Sequence, residues 1–235
     1  MDEAQTRQEI IDKNLALAGW NVKDPAQVTE ELDIDLVQAG VVRASEAGPE
    51  SPYEGHQFAD YGLIHKGKPV AVVEAKRTSK DAELGREQAL QYAQNLQKRD
   101  KGPLPFVFYS NGHKSFFWEH GFYPPDSIHG FPTRDDLEWM GLRREQRKPL
   151  SAENISTQIA GRDYQVEAIR TILEAIEAKR RKLLLVMATG TGKTRVAAAL
   201  FDVLLRSHWA KRVLFLVDRI ALRDQAMDAF KEHIP

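Results

Sequence analysis

Cysteine is absent from the 235 residues. That excludes disulfides, thiolate metal sites and a cysteine nucleophile, so any metal must be held by oxygen or imidazole, and it fits a reducing cytosol. Nor does one sign of charge dominate: 33 Lys and Arg stand against 34 Asp and Glu, a net charge of -1. No basic stripe announces a nucleic-acid partner, so DNA binding would have to be read from local chemistry. No run approaches the ~20 apolar residues of a membrane span. The first residues, Met-Asp-Glu-Ala-Gln-Thr-Arg, are charged where a secretory leader would be apolar. A soluble, cytoplasmic protein without membrane contact is expected. His56, His65, His113, His120 and His129 show no zinc-ligand spacing, and the sequence has no internal repeat or low-complexity segment.

What is there changes character along the chain. Ile10, Ile11, Leu15 and Ala18 recur at helical spacing within residues 4–18, and Gly19 stands where a helix would end. Two strand-like runs, 58–64 and 70–77, flank His65-Lys66-Gly67-Lys68, which predicts a hairpin turning at Gly67. Leu84, Ala89, Tyr92, Ala93 and Leu96 give residues 82–98 an apolar helical stripe. The apolar run 105–109, the turn signal Asn111-Gly112 and Phe116-Phe117-Trp118 add strands. Residues 1–120 therefore read as an α+β domain with mixed strands. From 121 to 160 the prolines 124, 125, 132 and 149 and the charged run from Arg143 to Lys148 show little periodicity, which predicts a linker. Beyond it helix (164–179), apolar strand (183–187), glycine loop, helix (193–205), strand (213–217) and helix (220–230) alternate. That order predicts an incomplete parallel α/β domain over 161–235.

Two groups of residues carry chemistry. In the hairpin, Asp60 lies on one strand while Glu74 and Lys76 share a face of the next, so two carboxylates and an ammonium can converge. Such a set suits phosphodiester hydrolysis: the carboxylates hold Mg²⁺, which acidifies a bound water and polarises the phosphate, and the lysine orients or deprotonates the nucleophile. A solvated strand end is the bland alternative. Against it, Glu74-Ala75-Lys76 ends the apolar strand Val70-Ala71-Val72-Val73 and is not part of a polar loop. Asp33 and Asp35 also alternate on a predicted strand, but no lysine follows at the right offset, and they read as solvated edge charges.

The second group is Thr189-Gly190-Thr191-Gly192-Lys193-Thr194, where an apolar strand gives way to a helix. Backbone N–H groups and the helix dipole can hold phosphates there. Gly190 and Gly192 let the backbone approach the nucleotide, Lys193 neutralises the β/γ phosphates, and the Thr194 hydroxyl can ligate Mg²⁺. The general pattern would have glycine where this chain has Met187. The basic cluster Lys179 to Lys182 has two readings, a contact to DNA phosphates or a cap on the negative end of the preceding helix.

Several of these segments resemble known families. Asp60-x13-Glu74-Ala75-Lys76 resembles the PD-(D/E)xK nuclease core. Gln88 to Tyr92 resembles the Gln-x-x-x-Tyr motif that follows the catalytic lysine in the R subunits of type I restriction enzymes; the two residues share a helix face, though Tyr92 reads equally well as core. Residues 3–7, Ile11-Asp12 and the stretch from Leu15 to Trp20 resemble the first helix of those subunits, which implies a supporting acid at Glu3 or Glu9. Gly161-Arg162-Asp163-Tyr164-Gln165 resembles the adenine-reading Gln motif of superfamily 2 helicases, with Arg162 and Gln165 as nucleotide contacts. Val213 to Arg219, with Leu222 and Gln225, resembles their motif Ia, and some members of that superfamily accept methionine at the position of Met187.

The resemblance implies an R subunit of a type I restriction enzyme: a restriction-endonuclease-like nuclease domain followed by the start of a RecA-like motor. It implies Mg²⁺-dependent cleavage of double-stranded DNA, ATP binding and ATP-driven translocation, and a complex with methyltransferase (M) and specificity (S) subunits in phage defence. Sequence reading by the S subunit agrees with the missing basic stripe. The acidic water-positioning motif and the arginine finger of a second motor domain would lie beyond Pro235, so ATP hydrolysis by these residues alone is not expected. Two other readings stay open: another nuclease–helicase fusion in repair or phage defence, and a non-catalytic docking module with a vestigial site.

Overall fold

A two-residue turn fixes the centre of the sheet. His65 pairs with Lys68 across Lys66 and Gly67, whose φ values of 52° and 74° give the turn the twist that suits antiparallel strands. In the computed structural model of the protein, which describes residues 2–41 and 55–234, the chain divides into two compact units, Met1–Trp139 and Met140–Pro235. The strands β1 (Val28–Asp35), β2 (His56–His65), β3 (Lys68–Ala75), β4 (Phe106–Ser110), β5 (Ser115–Trp118) and β6 (Asp126–Ile128) form one sheet in chain order. All neighbours are antiparallel except β3 and β4. That parallel pair needs a crossover, which the helix over Arg86–Asp100 supplies.

Both central strands are buried on both faces, which is why they read as continuous apolar runs. On one face Val72, Val107 and Tyr109 meet Ala89, Ala93 and Leu96 of the crossover helix. On the other the cross-strand row Tyr61, Val73, Phe108 and Phe117 lies under the opening helix, where the Tyr61 hydroxyl donates to Asp12 at 2.7 Å. Phe108 is fully buried, with Phe117 and Phe131 ring centroids 5.1 and 5.5 Å away. Phe108→Ala is expected to cost about 3–5 kcal/mol. In urea titrations of this unit the midpoint should fall with the slope unchanged.

The opening helix runs as α1 (Glu3–Thr6), a π-helical turn (Arg7–Ile11) and α2 (Asp12–Leu17). An Asp2–Gln5 capping box starts it, and Gly19 (φ 84°) follows its end. It sits tightly on the β4–β5 turn. A Cβ at Gly112, where φ is 86°, would lie 2.9 Å from Ile10 Cδ1 and 3.0 Å from Thr6 Cγ2. The crossover helix is α3, and α4 (Arg134–Gln146) follows β6; β6 and α4 both lie within the 121–160 stretch read as linker.

The second unit holds α5 (Asp163–Glu177), α6 (Lys193–Arg206) and α7 (Ile220–His233). Their packed residues include Ile169, Leu173, Val196, Ala199 and Val203, together with Leu150, Ile155 and Ile159. The parallel sheet expected here is corrected. Residues 183–187 and 213–217 join no strand ladder among the described residues. Their exposure still alternates, Leu184 at 90% beside Leu185 at 42% and Leu214 at 81% beside Phe215 at 37%. An apolar extended run becomes a strand only when a neighbour answers its N–H and C=O groups, and among the described residues none does. Among the described residues no helix is long and apolar enough to cross a membrane.

Candidate active site

The register that pairs Tyr61 with Val73 puts Asp60 opposite Glu74, and opposed residues of an antiparallel pair share a face. Beyond that pair a side chain replaces the ladder: Asp60 Oδ2 accepts the Ala75 N–H at 2.7 Å. On the other side of Asp60 the β1–β2 ladder skips Glu31, whose φ is 48°. Irregular pairing of this kind re-aims side chains beside functional sites. Lys76 leaves the end of β3 with its backbone N–H on the Ser110 carbonyl at 2.8 Å. Its Nζ lies 2.5 Å from Glu74 Oε1, 3.0 Å from Gln88 Oε1 and 3.7 Å from Glu3 Oε1.

Gln88 in turn donates to the Tyr92 hydroxyl at 2.6 Å, so the two α3 residues form one chain of contacts that ends on Lys76. Tyr92 is also core, 7% exposed and packed in the α3 face. One oxygen each from Glu3, Asp60 and Glu74 lies within 4.8 Å of the others. Of the two helix acids that the sequence offered, Glu3 joins this cluster, while Glu9 is exposed and outside it. A residue the sequence reading passed over is Arg7, whose Nη1 lies 3.1 Å from Asp60 Oδ1 and Nη2 3.5 Å from Glu31. The available signal was its place four residues after Glu3, on the same helix face.

Burial and the neighbouring Asp60 charge push the Glu74 carboxyl up to about 7, against the hydrogen bond from Lys76. Asp60 is also raised by burial, opposed by the Ala75 N–H and by Arg7. Burial is the largest influence on the Lys76 ammonium and acts against its charge, but the hydrogen bond to Glu74 and the charges of Glu74, Glu3 and Asp60 together outweigh it and raise the pKa. Three crowded carboxylates with hard oxygen donors fit Mg²⁺ or Mn²⁺. One oxygen from each lies within 4.8 Å of the others, so a single ion could be held by all three.

Gly85, just before α3, was also missed. A Cβ there would stand 3.0 Å from Glu74 Cγ and 3.4 Å from Lys76 Cε. Gly85→Ala is expected to displace both side chains and weaken divalent-metal binding roughly tenfold, in a calorimetric titration of a chain whose far-ultraviolet dichroism is unchanged.

In the second unit Gly190 (φ 80°) and Gly192 (φ 86°) shape the loop before α6 and need glycine for it. Lys193 Nζ and Thr191 Oγ1 both donate to the Ala188 carbonyl, at 2.9 and 2.7 Å. Gln165, buried at the start of α5, donates from Nε2 to the Thr191 carbonyl at 2.8 Å, and Oε1 accepts from the Arg162 N–H at 3.4 Å. Tyr164 donates to the same carbonyl at 3.0 Å and accepts from Arg162 Nη1 at 2.9 Å. A Cβ on Gly192 would lie 2.5 Å from Gln165 Nε2, so the glycine also admits this contact. Met187 packs against the apolar core of the unit.

Comparison with known proteins agrees with both halves. Residues 158–235 match the family model described as type III restriction enzyme, res subunit. Residues 43–103 match that of the second domain of the type I restriction enzyme EcoKI endonuclease subunit. The EcoAI endonuclease subunit of Escherichia coli is 34% identical over 96% of this chain and 28% of its own length. The EcoKI endonuclease subunit of Escherichia coli strain K12 is 29% identical over 95% of this chain and 23% of its own. A solved fragment of an HsdR subunit of a type I restriction enzyme from Vibrio vulnificus YJ016 aligns with a TM-score of 0.50 and 27% identity, over 90% of this chain and 39% of that one.

Restriction enzymes are thus the class into which the matches to both halves fall. Over nearly its whole length the chain is similar to type I restriction enzyme endonuclease (R) subunits, and it spans about a quarter of the length of the curated relatives it matches, 28% and 23%.

Proposed function

We propose that this chain carries the nuclease site and the nucleotide-binding loop of a type I restriction R subunit. The whole subunit would cleave and translocate double-stranded DNA at the expense of ATP, in a complex with methyltransferase and specificity subunits. The observation that carries the nuclease reading is the convergence of Glu3, Asp60 and Glu74 within 4.8 Å, with Lys76 Nζ 2.5 Å from Glu74. A solvated strand end would not bury Glu74 to 3% exposure beside another carboxylate.

Glu3, Asp60 and Glu74 would hold the divalent cation. When bound, it supplies an acidified water and a polarised phosphate. Asp60 is held for this by the Ala75 N–H through Oδ2 alone. Lys76, braced by Gln88, places its ammonium at the same point to orient the attacking water or a phosphate oxygen. In the second unit, residues 189–194 would wrap the phosphates of ATP. Lys193 would exchange its contact with the Ala188 carbonyl for the β/γ phosphates, and Thr194 would bring its hydroxyl to the accompanying Mg²⁺. Arg162 and Gln165 would meet the base, and a RecA-like completion of this unit accounts for the unpaired runs 183–187 and 213–217.

A Mn²⁺ titration followed by calorimetry tests the nuclease half. The chain should bind the ion and Asp60→Asn should not. Equal binding by the two would leave the acidic cluster without a metal and sink the reading.

A further inference from the structure

Asp60 Oδ1 is the oxygen left for a cation, because Oδ2 already accepts the Ala75 N–H at 2.7 Å. Arg7 Nη1 sits on that oxygen at 3.1 Å. The guanidinium is one-fifth exposed, in the wall of a pocket of about 360 Å³ shared with Glu3, Glu31, Phe58 and Asp60. Arg7 is not needed to aim Asp60, since the backbone bond does that. It is needed for charge: among the described residues the carboxylates of Glu3, Asp60 and Glu74 face two cations, Arg7 and Lys76, and buried like charges must be balanced.

The balance has a consequence for catalysis. With all three ionised, as a bound cation would require, and the solvent-screened Glu31 left out of the count, three carboxylates against two cations leave one negative charge. One divalent cation and one phosphodiester together bring one positive charge, which is what the cluster lacks. We infer that Arg7 changes partner during the reaction: it neutralises Asp60 Oδ1 in the metal-free site, yields that oxygen to the divalent cation, and then binds the DNA phosphodiester at the pocket. Guanidinium suits both partners, since its planar fork matches carboxylate and phosphate alike. Glu31, 70% exposed and 3.5 Å from Nη2, gives the side chain a second, solvent-screened anchor while it exchanges. This inference rests on the nuclease reading and adds a phosphate-binding residue to it.

The test uses the chain as it stands, with Mn²⁺ calorimetry and the binding of a short fluorescent duplex in calcium, a hard divalent ion used in place of magnesium to avoid turnover. Arg7→Met should bind Mn²⁺ as tightly as the parent or several-fold tighter, because a competitor is gone. Its affinity for the duplex in calcium should fall about tenfold or more, and Arg7→Lys should recover part of that loss. If Arg7→Met loses Mn²⁺ as Asp60→Asn does, Arg7 is only a prop for Asp60 and the inference fails alone. It also fails alone if metal binding is kept and duplex affinity is unchanged. If the parent chain binds no divalent ion, both the inference and the nuclease reading fall.

Discussion

Alanine at Asp60, Glu74 or Lys76 is expected to abolish DNA cleavage by a full-length subunit carrying this segment, by about a thousandfold or more, with ATP hydrolysis intact. The three side chains converge from the β2–β3 pair, with Glu74 nearly sealed from water and Lys76 2.5 Å from it. On the proposed function, removing either carboxylate would take a ligand from the metal, and removing Lys76 would take a positive charge from the point where the phosphate would react. The effects should not add, because residues that act as one unit fail together: the double variant Asp60→Ala/Glu74→Ala should be no slower than either single one. Cleavage surviving any of these changes would move the chemistry elsewhere. The check is linearisation of a plasmid substrate alongside phosphate release from ATP.

The opposite split is expected in the second unit. Lys193→Ala in the same full-length subunit should lower ATP hydrolysis by about a hundredfold or more, measured as phosphate release with duplex DNA present, and should weaken binding of a fluorescent ATP analogue. Lys193 starts α6, where the helix N-terminus and the glycine backbone already favour phosphate, but only the ammonium brings a full charge. Here its Nζ lies on the Ala188 carbonyl, a contact that a nucleotide phosphate can replace at little cost. Mn²⁺ binding at the acidic cluster should be untouched by this variant. Wild-type ATP hydrolysis in Lys193→Ala would remove the basis for reading residues 189–194 as the motor's phosphate loop.

Much of the site was legible because its signals are local. Asp60, Glu74 and Lys76 could be brought together on paper because a hairpin has one dominant turn signal, and two-residue periodicity then dictates faces. Gln88 and Tyr92 were singled out by resemblance to the Gln-x-x-x-Tyr motif, helical spacing adding only that they share a face; in the structure Gln88 donates to Tyr92 and contacts Lys76, so the two form one chain of contacts ending on Lys76. Arg7 and Gly85 were not legible. Their importance is a matter of what lies across space: Arg7 meets a carboxylate 53 positions away, and Gly85 matters because of the Glu74 and Lys76 atoms that a methyl group would strike.

By itself, the amino-acid order determined the elements whose causes lie within a few residues: the Lys66-Gly67 turn, the apolar stripe of α3, and the glycines of the loop before α6. Positive φ and side-chain period are properties of short segments. Only the tertiary structure decided between Glu3 and Glu9. At 3.6 residues per turn, six positions put the two acids on different sides of the helix. The close seat of Thr6 and Ile10 on Gly112 settles which side faces Asp60. It also decided the fate of the apolar runs 183–187 and 213–217, since a strand is a relation between neighbours and cannot be made by one segment's composition.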